Sequence, residues 1–289
     1  MSVVESFKRR AFNVAFFGVV RRLPLGLANR MVSGLYDLVN AGVGQTSSQF
    51  TNYGYAAARG QVDPDGVVDD RRYDYLSRQL YERLVGPTSL KGKDVLEVGC
   101  GRGGGASYIS EHFGPTTMTG VDLSEKAIKC CRRRYRRPGL QFVRGAAESL
   151  PFPDGCFDVV INVESSHTYP SMPTFLGEVT RVLRPDGLFL IADFRRRVEM
   201  PTLRAHFAAA GLTVRRHDNI TANVVFALDL TSATKIEMTP KPIPKRRRLF
   251  LENFAAVQGS EMYRSFVCGE LEYWCFVVDR RASSGADTA

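Results

Sequence analysis

Residues 95–105 of the chain are VLEVGCGRGGG, a short apolar run with one acid, Glu97, followed by five closely spaced glycines. A short apolar run that ends at glycine is typical of a buried strand. Gly99 and Gly101 would let the backbone approach a ligand that side chains would exclude. A helix that begins near Gly104 would add unpaired N–H groups at its start. The stretch therefore predicts a ligand-binding turn between a strand and a helix.

Outward from this turn, short apolar runs alternate with segments of helical character. The runs TMTGVDL, FDVVINV and LFLIADF are separated by helical segments, and one of these segments has Ser124 as its predicted N-cap. Apolar strands that alternate with helices indicate a parallel sheet that is covered on both faces. The sequence therefore predicts a doubly wound α/β domain.

The sequence divides into a main domain and flanking parts. Residues 1–72 begin with an apolar segment flanked by arginines, and we expect them to form a helical cap or lid. Residues 73–280 are expected to form the α/β domain, with a cap insertion at about 218–262 where the helices break at TPKPIP. Residues 281–289 are polar and small, which predicts a disordered tail.

Composition limits the classes of function. The six cysteines have no CxxC spacing, which favours reduced thiols in a cytoplasmic protein, and we expect no metal. The net charge of +9 comes from basic blocks scattered along the chain without a nucleic-acid-binding motif, so we expect no nucleic acid partner. No apolar run approaches the roughly 18 residues of a membrane span. Peripheral membrane contact through the basic N-terminal helix remains open.

Two acids help to identify the ligand, because the turn alone also satisfies the GxGxxG spacing of dinucleotide sites. Asp122 ends the second predicted strand, where a carboxylate can accept hydrogen bonds from both hydroxyls of a ribose. Glu97 lies just ahead of the turn, where it would repel a pyrophosphate but attract the cationic amino and sulfonium groups of S-adenosylmethionine. The two acids together favour S-adenosylmethionine over a dinucleotide.

Four segments, in order, resemble the successive motifs of class I S-adenosylmethionine-dependent methyltransferases. They are VLEVGCGRGGG, GVDLS, FVRGAAESLPFPDGCFDVVINVESSH and EVTRVLRPDGLFLIADF, within about residues 75–195. The resemblance implies a Rossmann-like seven-stranded sheet whose last strand, at EYWCFVVDR, is antiparallel. It also implies S-adenosylmethionine as cofactor and S-adenosylhomocysteine as product. The residues expected to bind the cofactor are Glu97, Gly99, Cys100, Gly101, Asp122, Leu123, Ala147, Glu148, Asn162 and Tyr53.

The expected adenine contact departs from the family pattern. The family usually has an aspartate before LPF that accepts a hydrogen bond from the adenine amine, and this chain has Ala146 there. Adenine is then expected to rely on the Ala147 N–H and on apolar packing by Leu123, or on Glu148. Tyr53, in QFTNYGYA, resembles an aromatic that precedes the core, and we expect it to bind the methionine carboxylate or to line the acceptor pocket.

His167 and Asp193 are the predicted catalytic residues. They follow two strands that are expected to be neighbours, so both side chains would lie at one edge of the sheet. A histidine oriented by a carboxylate is the expected general base for a hydroxyl acceptor, and the pair is similar to that of sugar and natural-product O-methyltransferases. Glu164 is an alternative base. A purely structural role for His167 and Asp193 also remains open.

The sequence thus predicts an O-methyltransferase that transfers a methyl group to a hydroxyl of a hydrophobic small molecule or lipid. Within the family, the chain looks most similar to actinobacterial enzymes that methylate lipids, of the phenolphthiotriol, glycopeptidolipid and fatty-acid O-methyltransferase type. Esterification of a fatty acid carboxyl and C-methylation of a sterol-like or quinone-like acceptor remain alternatives. A dinucleotide oxidoreductase and a non-catalytic module that binds membrane or nucleic acid are two further alternatives.

Overall fold

Strands and helices alternate along most of the chain. The computed structural model describes residues 20, 23–42, 49–57, 70–237, 242 and 244–280. The strands in these ranges are β1 Asp94–Val98, β2 Thr117–Asp122, β3 Leu140–Arg144, β4 Phe157–Val163, β5 Leu183–Arg196, β6 Leu212–Asn219 and β7 Leu271–Arg280. The helices are α1 Leu25–Gly42, α2 Asp70–Val85, α3 Gly104–His112, α4 Glu125–Arg134, α5 Met172–Val182, α6 Met200–Ala209, α7 Thr221–Glu237, α8 Lys245–Phe254 and α9 Glu261–Val267. Single 3₁₀ turns follow β4 at Ser166–Thr168 and β5 at Arg197–Glu199.

The seven strands form one sheet in the order β3-β2-β1-β4-β5-β7-β6. Strands β1 to β5 pair in parallel, whereas β7 is antiparallel to both of its neighbours, β5 and β6. This confirms the predicted Rossmann-like sheet with an antiparallel last strand. The strand order reverses between β1 and β4, which is where ligands bind in open α/β sheets.

Helices cover both faces of the sheet, because successive side chains of a strand point to opposite faces. Val95 of β1 packs in a cluster with Leu84 and Ile109, on the face covered by α2 and α3. The next residue, Leu96, packs in a second cluster with Leu176 of α5. The continuous apolar run of β1 is therefore explained by burial on both faces.

The structure tests two local predictions from the sequence, the N-cap at Ser124 and the turn at PDG. The Ser124 side chain accepts a hydrogen bond from the Ala127 N–H at 3.2 Å, which confirms the predicted N-cap of α4. The predicted turn at PDG lies inside β5, where the pairing with β4 jumps from Leu183 to Leu188. Asp186, at the middle of this excursion, has a φ of 60°.

Two parts of the chain outside the β1–β5 core lie near the carboxyl edge of the sheet. Residues 49–57, which we name the strap, bind α2 through the Tyr55 N–H and Leu76 O at 2.9 Å, and α7 through the Ala56 N–H and Asn223 O at 3.3 Å. The insertion between β6 and β7 forms α7, α8 and α9. The helix predicted before residue 20 and the tail 281–289 lie outside the described residues. Among the helices described, none is long and apolar enough to cross a membrane.

Candidate active site

The glycine loop, residues 99–105, leaves the carboxyl end of β1 and is tied to the end of β2. The Gly99 N–H donates to Val121 O at 2.8 Å, and the Gly101 N–H donates to Asp122 Oδ2 at 2.9 Å. Asp122 Oδ1 accepts from the Ser124 N–H at 2.8 Å. Each carboxylate oxygen has two lone pairs, so this half-buried acid retains capacity to accept bonds from a ribose.

The two outer glycines of GCG serve different purposes. A Cβ on Gly99 would lie 2.4 Å from Ser165 Oγ and 2.8 Å from Tyr169 Oη, so this chain itself fills the space beside Gly99. A Cβ on Gly101 would meet, among the described residues, Thr51 Oγ1 at 3.5 Å. Close packing against Ser165 and Tyr169 therefore already requires glycine at position 99, and the expected ligand contact there stays a prediction. At Gly101 a Cβ would make only an ordinary contact, although its φ of 51° favours glycine in any case.

Glu97 lies underneath the glycine loop and is only 1% exposed. Its Oε1 accepts from the Tyr81 hydroxyl at 2.6 Å, and a Cβ on Gly105 would come within 2.5 Å of the same oxygen. Glu97 Oε2 has no hydrogen-bond partner in the described part of the chain. Burial raises the pKa of Glu97 to about 7, although the bond from Tyr81 opposes that shift. A buried carboxylate with one oxygen that lacks a hydrogen-bond partner among the described residues fits a cationic ligand above the loop. Glu97 would act on that ligand mainly through its charge.

Two of the predicted cofactor residues lie inside the protein. Asn162 is fully buried, and its amide donates to Val98 O at 2.9 Å and to Ser165 Oγ at 2.7 Å. The Cys100 thiol is buried next to Cys131, and its hydrogen bond with that second thiol together with burial raises the pKa of Cys100. Both residues thus support the glycine loop from below. A direct cofactor contact by either stays a prediction.

One of the predicted adenine residues, Glu148, contacts α1. Leu123 is half-buried, and Ala147 and Glu148 are buried. Burial raises the pKa of Glu148, while bonds from the Ser171 backbone and the Asn29 side chain of α1 oppose that shift. Glu148 Oε1 has no hydrogen-bond partner among the residues described. The substitution at Ala146 is thus accompanied by a buried acid with one unsatisfied oxygen two residues further on.

The structure brings His167 and Asp193 together as the strand order predicts. His167 Nδ1 lies 2.8 Å from Asp193 Oδ1, and the His167 N–H donates to Oδ2 at 3.0 Å. The Ser166 hydroxyl also donates to Oδ2, at 2.6 Å, and the Phe194 N–H donates to Oδ1 at 2.8 Å. The Asp193 carboxylate is therefore held by four donors, and the imidazole orientation is fixed by one of them.

Arg195 is a part of this group that sequence reasoning missed. Its place in the basic block 195–197 suggested a solvated surface charge, but its side chain is 8% exposed. One guanidinium nitrogen lies 3.2 Å from Asp193 Oδ2, and another donates to Ser166 Oγ at 2.8 Å. Burial alone would raise the pKa of Asp193, but the charges of His167 and Arg195 and the hydrogen bonds from His167 and Ser166 lower it well below its ordinary value. Asp193 is therefore ionised at neutral pH.

An aromatic wall, which we define as Tyr53, Phe194 and Phe266, lies beside the histidine. The ring of Phe194 is 4.2 Å from that of His167, 5.7 Å from that of Tyr53 and 5.5 Å from that of Phe266, between centroids. The Tyr53 hydroxyl donates to Phe254 O of α8 at 3.0 Å. The Tyr53 hydroxyl is thus bonded within the protein, and both roles expected for Tyr53 stay predictions.

A glycine loop after β1, an acid at the end of β2 and a histidine after β4 define the class of S-adenosylmethionine-dependent methyltransferases. Residues 96–191 match a family described as "Methyltransferase domain". The chain is 40% identical over 246 residues to the phthiotriol/phenolphthiotriol dimycocerosates methyltransferase of Mycobacterium tuberculosis, with 84% of this chain and 90% of that protein covered. It is 36% identical over 262 residues to the fatty-acid O-methyltransferase of Mycolicibacterium smegmatis, with 90% and 94% covered. The chain therefore belongs to the family of S-adenosylmethionine-dependent methyltransferases that includes these enzymes.

Solved structures share the fold at low sequence identity. A geranyl diphosphate C-methyltransferase from Streptomyces coelicolor A3(2), in complex with Mg²⁺, geranyl-S-thiolodiphosphate and S-adenosyl-L-homocysteine, has a TM-score of 0.65 at 17% identity, covering 87% of this chain and 97% of its own. The [4+2]-cyclase SpnF has a TM-score of 0.66 at 19% identity, covering 88% and 95%. A cyclase among these neighbours shows that the fold alone does not determine the reaction. The reaction is shown instead by family membership. The protein is a methyltransferase that uses S-adenosylmethionine, and it is neither a dinucleotide oxidoreductase nor a non-catalytic module.

Proposed function

We propose that this methyltransferase transfers the methyl group to a hydroxyl of a hydrophobic small molecule or lipid. The observation that carries the proposal is the contact of 2.8 Å between His167 and Asp193, beside the aromatic wall. The relatives named for phthiotriol dimycocerosates and for fatty acids support a lipid acceptor. Apolar walls with a few polar groups are also what a hydrophobic acceptor requires.

The proposed cofactor site lies along the glycine loop. When bound, S-adenosylmethionine supplies a methyl group that is already activated on a sulfonium sulfur. Asp122 is proposed to accept from the ribose hydroxyls, and the buried charge of Glu97 to attract the cationic end. We propose that α1 covers the adenine side, since Asn29 reaches Glu148. The full set proposed to form the cofactor site is Glu97, Gly99, Cys100, Gly101, Asp122, Leu123, Ala147, Glu148 and Asn162, and Tyr53 is proposed to lie on the acceptor side.

The proton of the acceptor is proposed to move to His167. An aliphatic hydroxyl has a pKa near that of water, far above neutral pH, so it is a poor nucleophile until a base removes its proton. Because Asp193 is ionised, it accepts the Nδ1–H of His167 and thereby assigns the lone pair to Nε2. The same carboxylate stabilises the imidazolium that forms when Nε2 takes the proton.

Arg195 is proposed to keep this pair in its basic form. Its guanidinium stabilises the Asp193 carboxylate whether or not His167 is charged. Asp193 thus remains ionised when His167 is neutral, which is the state in which a general base must begin. Ser166, which donates to Asp193 and accepts from Arg195, connects these two residues.

Esterification of a fatty acid is a second candidate, favoured by the relative that is named a fatty-acid O-methyltransferase. A carboxylate is a nucleophile without deprotonation, so this reaction would not need His167 as a base. The test is to incubate the enzyme and labelled S-adenosylmethionine with a long-chain alcohol and with the fatty acid of equal length. We expect an ether product from the alcohol. A methyl ester alone would support esterification, and mass fragmentation that locates the methyl on carbon would contradict both candidates.

A further inference from the structure

Glu164 is a half-buried acid that the proposed chemistry does not use. It follows β4 directly and has a φ of 45°, a left-handed backbone conformation that is uncommon for residues other than glycine. Its N–H donates to Ala192 O of β5 at 2.9 Å. Strained backbone of this kind persists only where surrounding contacts hold it, and it is concentrated at functional sites.

The contacts of the Glu164 side chain explain what holds it. Its Oε1 accepts from the Tyr53 N–H at 2.7 Å and from the Tyr273 hydroxyl at 2.9 Å. Tyr53 belongs to the strap and Tyr273 to β7, which lie 111 and 109 residues away along the chain. One oxygen atom therefore joins the end of β4, the strap and the antiparallel strand.

One residue that Glu164 holds, Tyr53, also belongs to the aromatic wall beside His167. The Tyr53 ring stacks on Phe194 with centroids 5.7 Å apart, and it meets Phe266 of α9 edge to face at 5.9 Å. Phe194 in turn contacts the His167 ring. A shift of the Tyr53 backbone would therefore disturb the packing of Phe194, the ring that contacts the histidine.

Lys235 of α7 is a basic side chain in the same region. Its ammonium group lies 5.5 Å from the ring centroids of both Tyr53 and Tyr73, and it donates to Ala255 O at 3.1 Å. Desolvation lowers the pKa of Lys235 to about 8 and raises the pKa of Glu164 to about 8, so desolvation favours the neutral form of both groups. The strap thus contacts a half-buried acid on the sheet side and a half-buried base on the side of the insertion.

We propose that Glu164 is a positioning residue for the acceptor: by holding the Tyr53 backbone and the Tyr273 hydroxyl, it fixes the aromatic wall against which the hydrophobic chain of the acceptor packs. This inference rests on the proposed function, because it assumes a hydrophobic acceptor beside His167. It predicts an effect on acceptor affinity, and little effect on cofactor affinity or on the transfer step.

The test compares Glu164→Ala and Glu164→Gln with the wild type, using a long-chain alcohol as acceptor. Glu164→Ala removes the acceptor of two hydrogen bonds, which should raise the KM for the alcohol about tenfold, equivalent to about 1.4 kcal/mol. The kcat and the calorimetric Kd for S-adenosylhomocysteine should both stay within about threefold, since the residue acts on acceptor binding. The Glu164→Gln side chain keeps an oxygen that can accept both bonds, and should restore the KM to within about threefold. Glu111→Ala, at an exposed glutamate that pairs with Arg137, is the matched control.

Several outcomes would overturn the proposal. An unchanged KM in Glu164→Ala, or a Glu164→Gln enzyme as impaired as Glu164→Ala, contradicts positioning through these hydrogen bonds. A lower kcat at constant KM would instead place Glu164 in the chemistry. If Glu164→Ala does not fold, Tyr273→Phe removes one of the two donors and should raise the KM about threefold. Here too an unchanged KM overturns the proposal.

Failure of the proposed function can be distinguished from failure of this inference. Calorimetric titration of the enzyme with the alcohol gives a Kd that does not depend on turnover. A wild type that binds the alcohol without methylating it contradicts the proposed function. The variants would still test the positioning role, because the Kd should then rise in Glu164→Ala and recover in Glu164→Gln.

Discussion

Replacing His167 with asparagine separates the chemistry of the site from its stability. The asparagine amide nitrogen can take the place of Nδ1, which lies 2.8 Å from Asp193 Oδ1, so the carboxylate keeps its donor. The imidazole Nε2 has no counterpart in asparagine. The substitution therefore removes the proposed base and leaves the buried group of Asp193, Ser166 and Arg195 satisfied.

The size of the effect follows from what is lost. General bases contribute about 10²–10⁴ to rates, so we expect kcat with a hydroxyl acceptor to fall at least about 100-fold, or about 2.7 kcal/mol in the barrier. Loss of the ring contact with Phe194 should cost about 1 kcal/mol of stability. Asp193→Ala is a poorer test: it leaves the guanidinium of Arg195 buried without its carboxylate, which costs about 3–5 kcal/mol out of a total near 5–15.

The assay measures transfer of labelled methyl from S-adenosylmethionine to a long-chain alcohol, with cofactor affinity followed by calorimetry. His112→Asn is the matched control, since this exposed histidine contacts Tyr108 on α3, away from β4. We expect cofactor affinity to stay unchanged in both variants. A His167→Asn enzyme that keeps about a third or more of its rate on the alcohol would refute a general base at this position.

Two further sets of variants address the cofactor side. Gly105→Ala should lower the unfolding free energy by about 1–3 kcal/mol, because its Cβ would lie 2.1 Å from Tyr81 Oη. Gly177→Ala, in open space on α5, should raise that free energy by about 0.5–1 kcal/mol. Urea titration measures both changes, and equal changes in unfolding free energy for the two variants would contradict the packing argument. Burial raises the pKa of Glu97 to about 7, above its unfolded value of about 4.3, so the folded enzyme binds the extra proton and loses stability as pH rises through this range. Without cofactor, the melting temperature of Glu97→Gln should therefore be above that of the wild type at pH 8 but not at pH 4. The variant should also bind S-adenosylmethionine more weakly. The same difference in melting temperature at both pH values would contradict this reasoning.

The fold could be predicted because its signals are local. The apolar run of β1 and the cap at Ser124 depend on residues within one element. The meeting of His167 and Asp193 followed from strand order, because the carboxyl ends of adjacent parallel strands share one edge. These inferences require only periodicity and one rule of topology.

The supporting contacts of the site could not be predicted, because their partners are distant in sequence and have no pattern of their own. The contact of Tyr81 with Glu97, which crosses from α2 to β1, is one example. Another is the packing of Ser165 against Gly99, which resembled a ligand-binding position in the sequence. Arg195 resembled a surface charge because its neighbours in the block are basic. Alternation along β5 nevertheless places its side chain next to that of Asp193, two residues earlier and on the same face of the sheet.

The strap has a consequence for any attempt to exchange substrate preference between relatives. It donates hydrogen bonds to α2, to Glu164 after β4, to α7 and to α8, so its shape is encoded by four separate stretches of the gene. A chimera that transplants residues 49–57 alone would carry the strap without the residues that accept its hydrogen bonds. Recombination between homologues would have to move the strap together with the β6–β7 insertion, and these two regions should therefore be inherited as one module.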